Sequence, residues 1–224
     1  MTAISAPSAR KRVAVFISGG GSNMLSLADA CAAPDFPAEI VAVISDKPAA
    51  GGIAKAEARG IKTFVFERKQ FAGKPEHEAA ILSALDETKP DILCLAGYMR
   101  LFSGEFINRY EGRILNIHPA LLPLFPGLHT HQRTLDAGVR IAGCTVHFVT
   151  EGMDEGPIAA QGAVPVLAGD TVETLAARIL TVEHKLYPLA LKLLAEGKVR
   201  MEDGKAVFEG LGEKDEARLI SPAL

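Results

Sequence analysis

The chain has 224 residues, 48% of them hydrophobic and 23% charged, with a formal net charge of -3. That length holds one large domain or at most two small ones, and the composition is globular rather than disordered or fibrous. There is no basic excess of the kind that nucleic-acid binding requires, although a locally positive site for a small anion stays open on a mildly acidic protein.

Residues 1–11 read as a loose tail. Small residues and a proline come first and Arg10, Lys11 and Arg12 follow, the reverse of the order in a signal peptide. Residues 13–17 are a continuous apolar run that ends in Ser18-Gly19-Gly20-Gly21, and 22–33 read as a helix. A second strand at 40–44 leads into a turn at Asp46-Lys47-Pro48, and 53–59 is helical until Gly60 stops it. A third strand at 63–66, a longer helix at 75–88 and a fourth strand at 92–96, closed by Gly97, come next. A helix near 104–110 precedes a fifth strand at 113–117. Unbroken apolar strands alternating with helices predict a parallel sheet with crossover helices on its faces.

After Ile117 the pattern changes. Residues 118–131 are rich in proline and glycine and read as a loop with fixed bends. Residues 139–150 and 157–166 read as two longer strands forming a hairpin about Gly152 and Gly156. Residues 171–195 form a long amphipathic helix with Leu175, Ile179, Val182 and Leu186 on one face. Asp170 is its expected N-cap, and Glu173 falls in its first turn. A small terminal hairpin, 199–201 with 206–208, turns at Asp203-Gly204. The simplest account is one α/β domain over 12–210, with tails at 1–11 and 211–224.

Cys31, Cys94 and Cys144 are odd in number and far apart, so neither a zinc framework nor a disulfide framework is expected. Cys94 and Cys144 sit in apolar runs, as small buried hydrophobes do, which suits a reducing cytoplasm. No segment approaches the roughly 18 consecutive apolar residues of a membrane span.

The loop Ser18-Gly19-Gly20-Gly21-Ser22-Asn23 joins a buried strand to a helix. Glycines admit close approach of the backbone, and a helix N-terminus offers free N–H groups and a positive dipole end, so this context suits phosphate. A dinucleotide fingerprint begun at Gly19 would need glycine where Met24 stands, and no Lys-Ser or Lys-Thr follows to make a P-loop. The simpler reading is a glycine turn with Ser22 as N-cap. A second polar element, Asn116-Ile117-His118-Pro119, closes the fifth strand at the sheet edge where ligands bind in open α/β folds. Alternation puts Asn116 and His118 on one side of the chain. An amide can donate to a developing oxyanion and a histidine can exchange a proton near neutral pH. The segment 150–157 carries Glu151, Asp154 and Glu155 between glycines. A carboxylate from it paired with His118 would favour the imidazolium; otherwise it is a solvated acidic tip. His129 and His131 lack the i, i+4 spacing of a helical zinc pair and are expected to hydrogen-bond within their loop, so no metal is expected. His147, on a strand, faces either the cleft or the core, and a satisfied core residue is the default.

Several segments recur here in one order: Ile17-Ser18-Gly19-Gly20-Gly21-Ser22-Asn23, Leu95-Ala96-Gly97-Tyr98-Met99-Arg100-Leu101, and Asn116-Ile117-His118-Pro119-Ala120-Leu121-Leu122-Pro123. Phe125-Pro126-Gly127-Leu128-His129-Thr130-His131, Val146-His147-Phe148-Val149 and Glu183-His184 follow. Together they resemble the folate-dependent phosphoribosylglycinamide formyltransferases of purine synthesis over most of the chain, roughly 12–210. The resemblance implies a Rossmann-like formyltransferase fold and a cytoplasmic enzyme with 10-formyltetrahydrofolate as formyl-donor co-substrate. Its partners are then small molecules rather than nucleic acid or membrane, and its assembly a monomer or homodimer. It implies Asn116, His118 and Asp154 as catalytic residues. For glycinamide ribonucleotide it implies Gly21, Ser22 and Asn23 of the phosphate loop with Leu180, Thr181, Val182 and Glu183 of the last helix. For the folate it implies Lys74, Met99, Arg100, Leu101, Phe102, Asn116, Thr150, Glu151, Gly152, Met153 and Asp154.

Two departures stand out. Lys74 replaces an arginine frequent in the family, keeping the charge without the planar fork, and Leu124 replaces a frequent lysine, which removes a positive charge near the site. The rival formyl-folate enzymes do not match as well: the deformylase carries an extra N-terminal domain for which there is no room before Val13, and the methionyl-tRNA enzyme a longer, basic RNA-binding part. A non-catalytic nucleotide-binding module would explain the glycine loop but not Asn116, His118 and the downstream acids.

Overall fold

The computed structural model describes residues 9–210. The expected tail at 211–224 and most of the one at 1–11 lie outside the described residues. Seven strands make one sheet in the order β3-β2-β1-β4-β5-β6-β7. They are β1 (Lys11–Ile17), β2 (Ala38–Ser45), β3 (Thr63–Val65), β4 (Ile92–Leu95), β5 (Ile114–His118), β6 (Ile141–Phe148) and β7 (Ile158–Pro165). The first five are parallel, and β6 and β7 run antiparallel at one edge. Helices α1 (Ser22–Cys31), α2 (Gly51–Glu57), α3 (Lys74–Thr88) and α4 (Gly104–Arg109) fill the crossovers. A short helix α5 (Thr130–Asp136) precedes β6, and a long helix α6 (Val172–Ala195) follows β7. A separate hairpin, β8 (Val199–Glu202) with β9 (Lys205–Phe208), ends the described chain. The mostly parallel α/β sheet and terminal hairpin expected from the sequence are both present.

The unbroken apolar run of β1 has a direct cause: both of its faces are covered. Val13, Val15 and Ile17 pack in one core with Met24 and Leu27 of α1 and Leu175, Ile179 and Tyr187 of α6. Ala14 and Phe16 point the other way, into a core with Ile81 and Leu85 of α3 and Phe106 and Ile107 of α4. In that second core Phe16 meets Tyr98 and Phe102 edge-on at 5.3 and 5.4 Å, and Phe102 stacks on Phe106 at 4.0 Å. Tyr98 and Phe102 thereby anchor the segment after β4, while Met99 and Leu101 between them stay exposed. The three cysteines are free and buried. Burial pushes the thiols up, to about 11 for Cys31 and about 12 for Cys144, so they remain protonated hydrophobes.

A buried hydroxyl ties helix α6 beneath the sheet, in addition to the Arg178 contact with the Pro165 carbonyl of β7 at 3.0 Å. The buried Tyr187 hydroxyl lies 3.1 Å from the Leu95 carbonyl and 3.0 Å from that of Leu115, so it reaches the ends of β4 and β5. Tyr187→Phe is expected to lower the unfolding free energy by about 1 kcal/mol, seen as a lower urea midpoint at unchanged slope. An unchanged midpoint would mean that this tether contributes nothing.

Local details differ from expectation in three places. The stretch 118–131 is a loop only as far as His129, because α5 begins at Thr130. Only Thr130 and Thr134 of α5 are buried, so it carries no apolar stripe to betray a helix. The N-cap of α6 is Thr171, not Asp170: the Thr171 hydroxyl accepts from Thr174 N–H, and the Thr174 hydroxyl accepts from Thr171 N–H. Asp170 instead receives both guanidinium nitrogens of Arg178 at 2.7 Å. Finally, the N-cap of α1 is Gly21 in the left-handed region, with Ser22 already helical.

Candidate active site

Strand order reverses at β1, which has β2 on one side and β4 on the other. The loops leaving the carboxyl ends of β1 and β4 diverge there and open a crevice, the usual ligand site of such sheets. Ser18 N–H donates to the Gly97 carbonyl at 3.2 Å and closes its floor. A cavity of about 600 Å³ runs from this point across the end of β5. It brings together Asn23, Met99, Arg100, Leu101, Phe102, Asn116, His118, Thr150, Glu151, Gly152, Met153, Asp154 and Glu183.

Asn116 and His118 come from β5, and Asp154 from the β6–β7 connection. Asn116 and His118 share one face of β5, as alternation predicts, and both line the cavity. Asp154 comes to them from the turn after β6, where its φ of 56° is a left-handed conformation that aspartate tolerates better than most residues. Its carboxylate lies 3.3 Å from His118 Nδ1 and accepts the Gly127 N–H at 2.8 Å. His118 Nε2 lies 2.9 Å from the Phe125 carbonyl. A carboxylate and a carbonyl only accept, so the ring satisfies both when each nitrogen carries a proton. Burial pushes the Asp154 carboxyl up, but His147, the Gly127 N–H and the charge of His118 outweigh it. The result is a carboxyl held below its ordinary range.

His147 is buried and hydrogen-bonded, as expected by default, and it also lines the cavity. Antiparallel pairing of β5 with β6 sets Asn116 directly opposite His147 and His118 opposite Thr145. His147 Nδ1 lies 2.9 Å from the Phe148 carbonyl, and Nε2 lies 3.1 Å from Asn116 Nδ2. The ring thus stands between the Asn116 amide and the Asp154 carboxylate, 3.7 Å from Nε2, and holds one side of that amide while the other side faces the cavity. Thr145 fastens the next loop: its hydroxyl donates to the Ala120 carbonyl at 2.7 Å and accepts the Leu122 N–H at 3.0 Å.

Elsewhere in the cavity lining, Asn23 Nδ2 donates to Glu183 Oε2 at 2.6 Å. Glu183 is buried, and burial, partly offset by the Asn23 bond, pushes its carboxyl up. Asn23 Oδ1 is buried without a partner. A carboxylate beside an orphan carbonyl acceptor suits hydroxyl or amine donors of a ligand. Gly21 is glycine for a packing reason as well, because a Cβ there would come 2.8 Å from Gly52 Cα, whereas Gly19 and Gly20 face open space. Leu180 is half-buried and Val182 packs against β7 at Gly162; exposed Thr181 donates its hydroxyl to the Arg178 carbonyl at 2.7 Å. None of these three lines the cavity.

Two buried carboxylates hold the wall at 99–103. Asp46 accepts the Ser18 hydroxyl at 2.5 Å and Arg100 Nε at 2.7 Å, and Ser18 Oγ in turn accepts the Met99 N–H at 2.9 Å. Glu78 of α3 accepts both the backbone N–H, at 2.8 Å, and the hydroxyl of Ser103. Lys74 lies on the far side of this wall. It lines a second recess with Arg68 and Arg100 and pairs with Glu78 at 3.8 Å. His129 and His131 line the main cavity, but their side chains make no hydrogen bonds of the expected kind within the loop. Burial and the neighbouring His118 lower the pKa of His131. Among the described residues no three His, Cys, Asp or Glu side chains converge as a metal-binding set.

Residues 11–191 match the model of the family described as formyl transferase. The chain belongs to the formyl transferase family. Relatives of this formyl transferase include phosphoribosylglycinamide formyltransferase of Escherichia coli strain K12, 40% identical over 198 residues, 88% of this chain and 93% of that protein. The crystal structure of phosphoribosylglycinamide formyltransferase from Brucella melitensis superposes with a TM-score of 0.81 at 73% identity, covering 83% of this chain and 96% of that one. The trifunctional purine biosynthetic protein adenosine-3 of Bos taurus is 50% identical over 197 residues, 88% of this chain. The chain spans only 20% of the length of that relative. The family expected from the sequence motifs is therefore borne out, and so is the fold. No helix among the described residues is long and apolar enough to cross a membrane.

Proposed function

We propose that this formyl transferase moves the formyl group of 10-formyltetrahydrofolate to the amine of glycinamide ribonucleotide, in the cytoplasm, as a step of de novo purine synthesis. The observation that carries the reading is a single cleft with three parts. Asn116, His118 and Asp154 make one part, Asn23 and Glu183 a second, and the wall at 99–102 with the turn at 150–154 a third, all lining the same cavity.

The amine of the bound nucleotide attacks the formyl carbon, forming a C–N bond and placing negative charge on the formyl oxygen. The free N–H of Asn116 and an N–H of His118 donate to that oxygen; His118 meets it by releasing or sharing its contact with Phe125. Asp154, 3.3 Å from Nδ1, keeps the ring oriented. Collapse of the intermediate breaks the bond to the folate nitrogen, and the proton lost by the amine ends on that nitrogen, relayed by His118 or water. Both substrates are held together, so no covalent enzyme intermediate is required. Met99, Leu101 and Met153, exposed at the mouth, offer apolar surface to the folate ring system.

The decisive experiment mixes the protein with glycinamide ribonucleotide and 10-formyltetrahydrofolate and follows tetrahydrofolate and the formylated nucleotide. Equimolar appearance of both is expected. Formate released without need of the nucleotide would indicate a deformylase instead, and no product from folded protein would reject the reading.

A further inference from the structure

The glycine loop has two sides, and only one is used among the described residues. On one side its carbonyls are held by α2: the Gly19 carbonyl accepts the Gly52 N–H at 3.1 Å, and the Gly20 carbonyl accepts Lys55 Nζ at 2.9 Å. On the other side the N–H groups of Gly20, Gly21, Ser22, Asn23 and Met24 have no acceptor among the described residues. In a trans peptide the carbonyl and the following N–H point opposite ways. Fixing the carbonyls of Gly19 and Gly20 toward α2 therefore turns the N–H groups of Gly20 and Gly21 away from it, in line with those that open α1.

Glycines flank the Gly20–Gly21 peptide, so its rotation meets little steric resistance. Turned over, it would present a carbonyl oxygen to a bound anion. Of the residues implied for the nucleotide (Gly21, Ser22, Asn23, Leu180, Thr181, Val182 and Glu183), none is a cation. Binding of a phosphate there depends on N–H groups all aimed the same way. We infer that Lys55 is a positioning residue for the substrate phosphate: its ammonium holds the Gly20 carbonyl so that the Gly20–Gly21 peptide presents its N–H to the anion, and it polarises that N–H. This rests on the proposed nucleotide substrate. Lys55 is exposed and on α2, outside the cavity that holds Asn116, His118 and Asp154, so it acts on binding and not on the transfer step.

The test compares wild type with Lys55→Met and Lys55→Arg. Lys55→Met is expected to raise the KM for glycinamide ribonucleotide about tenfold, the scale of one charge-assisted contact at an exposed position. It should leave kcat and the folate KM within about twofold, and Lys55→Arg should restore most of the loss. The effect should vanish with the dephosphorylated nucleoside as acceptor, because a lysine that merely props the fold would weaken both acceptors alike. Inorganic phosphate, titrated by calorimetry into protein without substrates, should bind about tenfold more weakly to Lys55→Met. That arm does not depend on formyl transfer, so it separates failure of this inference from failure of the proposed reaction. Equal loss for nucleotide and nucleoside, or phosphate binding that is unchanged, overturns the role of Lys55.

Discussion

Asn116→Ala is expected to lower kcat by about 10²–10³-fold, about 3–4 kcal/mol, the usual cost of losing one oxyanion donor. The KM values should change little, because the donor is needed where charge develops and much less in the ground state. The geometry gives a reason for so large an effect. The Asn116 amide lies 3.1 Å from His147 Nε2, so it is held in place before substrate arrives, and a preorganised donor needs no reorganisation during reaction. His118→Ala should cause a loss of similar size, about 10²–10⁴-fold, since it removes both a donor and a proton carrier. The double variant should lose less than the product of the two, because the residues act on one oxygen. Steady-state rates at saturating donor and acceptor decide it: near-normal turnover in either single variant removes that residue from the oxyanion site.

Asp154→Asn is expected to cost about 10²–10⁴-fold in kcat, by the logic of a carboxylate that orients a histidine. The amide is nearly isosteric and its oxygen can still accept the Gly127 N–H, so the fold should survive. What disappears is the charge beside His118 Nδ1, 3.3 Å away, and beside His147 Nε2, 3.7 Å away. The same substitution has a signature in stability. A carboxyl held below its ordinary range favours the folded state at every pH above its unfolded value of about 4, and that contribution is lost as pH falls through the lower folded value. Wild type should therefore lose melting temperature below pH ~4 more steeply than Asp154→Asn. Parallel melting curves for the two proteins in that range would show that Asp154 lends the fold no pH-dependent support.

The reach of the sequence can be judged element by element. β1 was legible from Val13 onward because the part of a strand covered on both faces must be apolar, and the pairing of Asn116 with His118 on one side of β5 follows from the pleat alone. α5 was not legible, since a helix of seven residues with only two small buried threonines carries no periodic apolar signal. The cap of α6 was misplaced by one residue, because Asp170 and Thr171 are both good capping types and only the contact with Arg178 separates their roles.

The sequence by itself determined Asn116 and His118 as a pair, and the family from its motifs. What only the tertiary structure decided is how distant residues meet. The β5–β6 register sets His147 against Asn116, the turn after β6 carries Asp154 to His118, α6 carries Glu183 to Asn23, and α2 brings Lys55 to the glycine loop. Spacing along the chain governs neighbours within a strand or a helix turn. Contacts between residues 31, 36, 160 and 35 positions apart depend on register, crossover and packing, which are settled only when the whole sheet closes on its two cores.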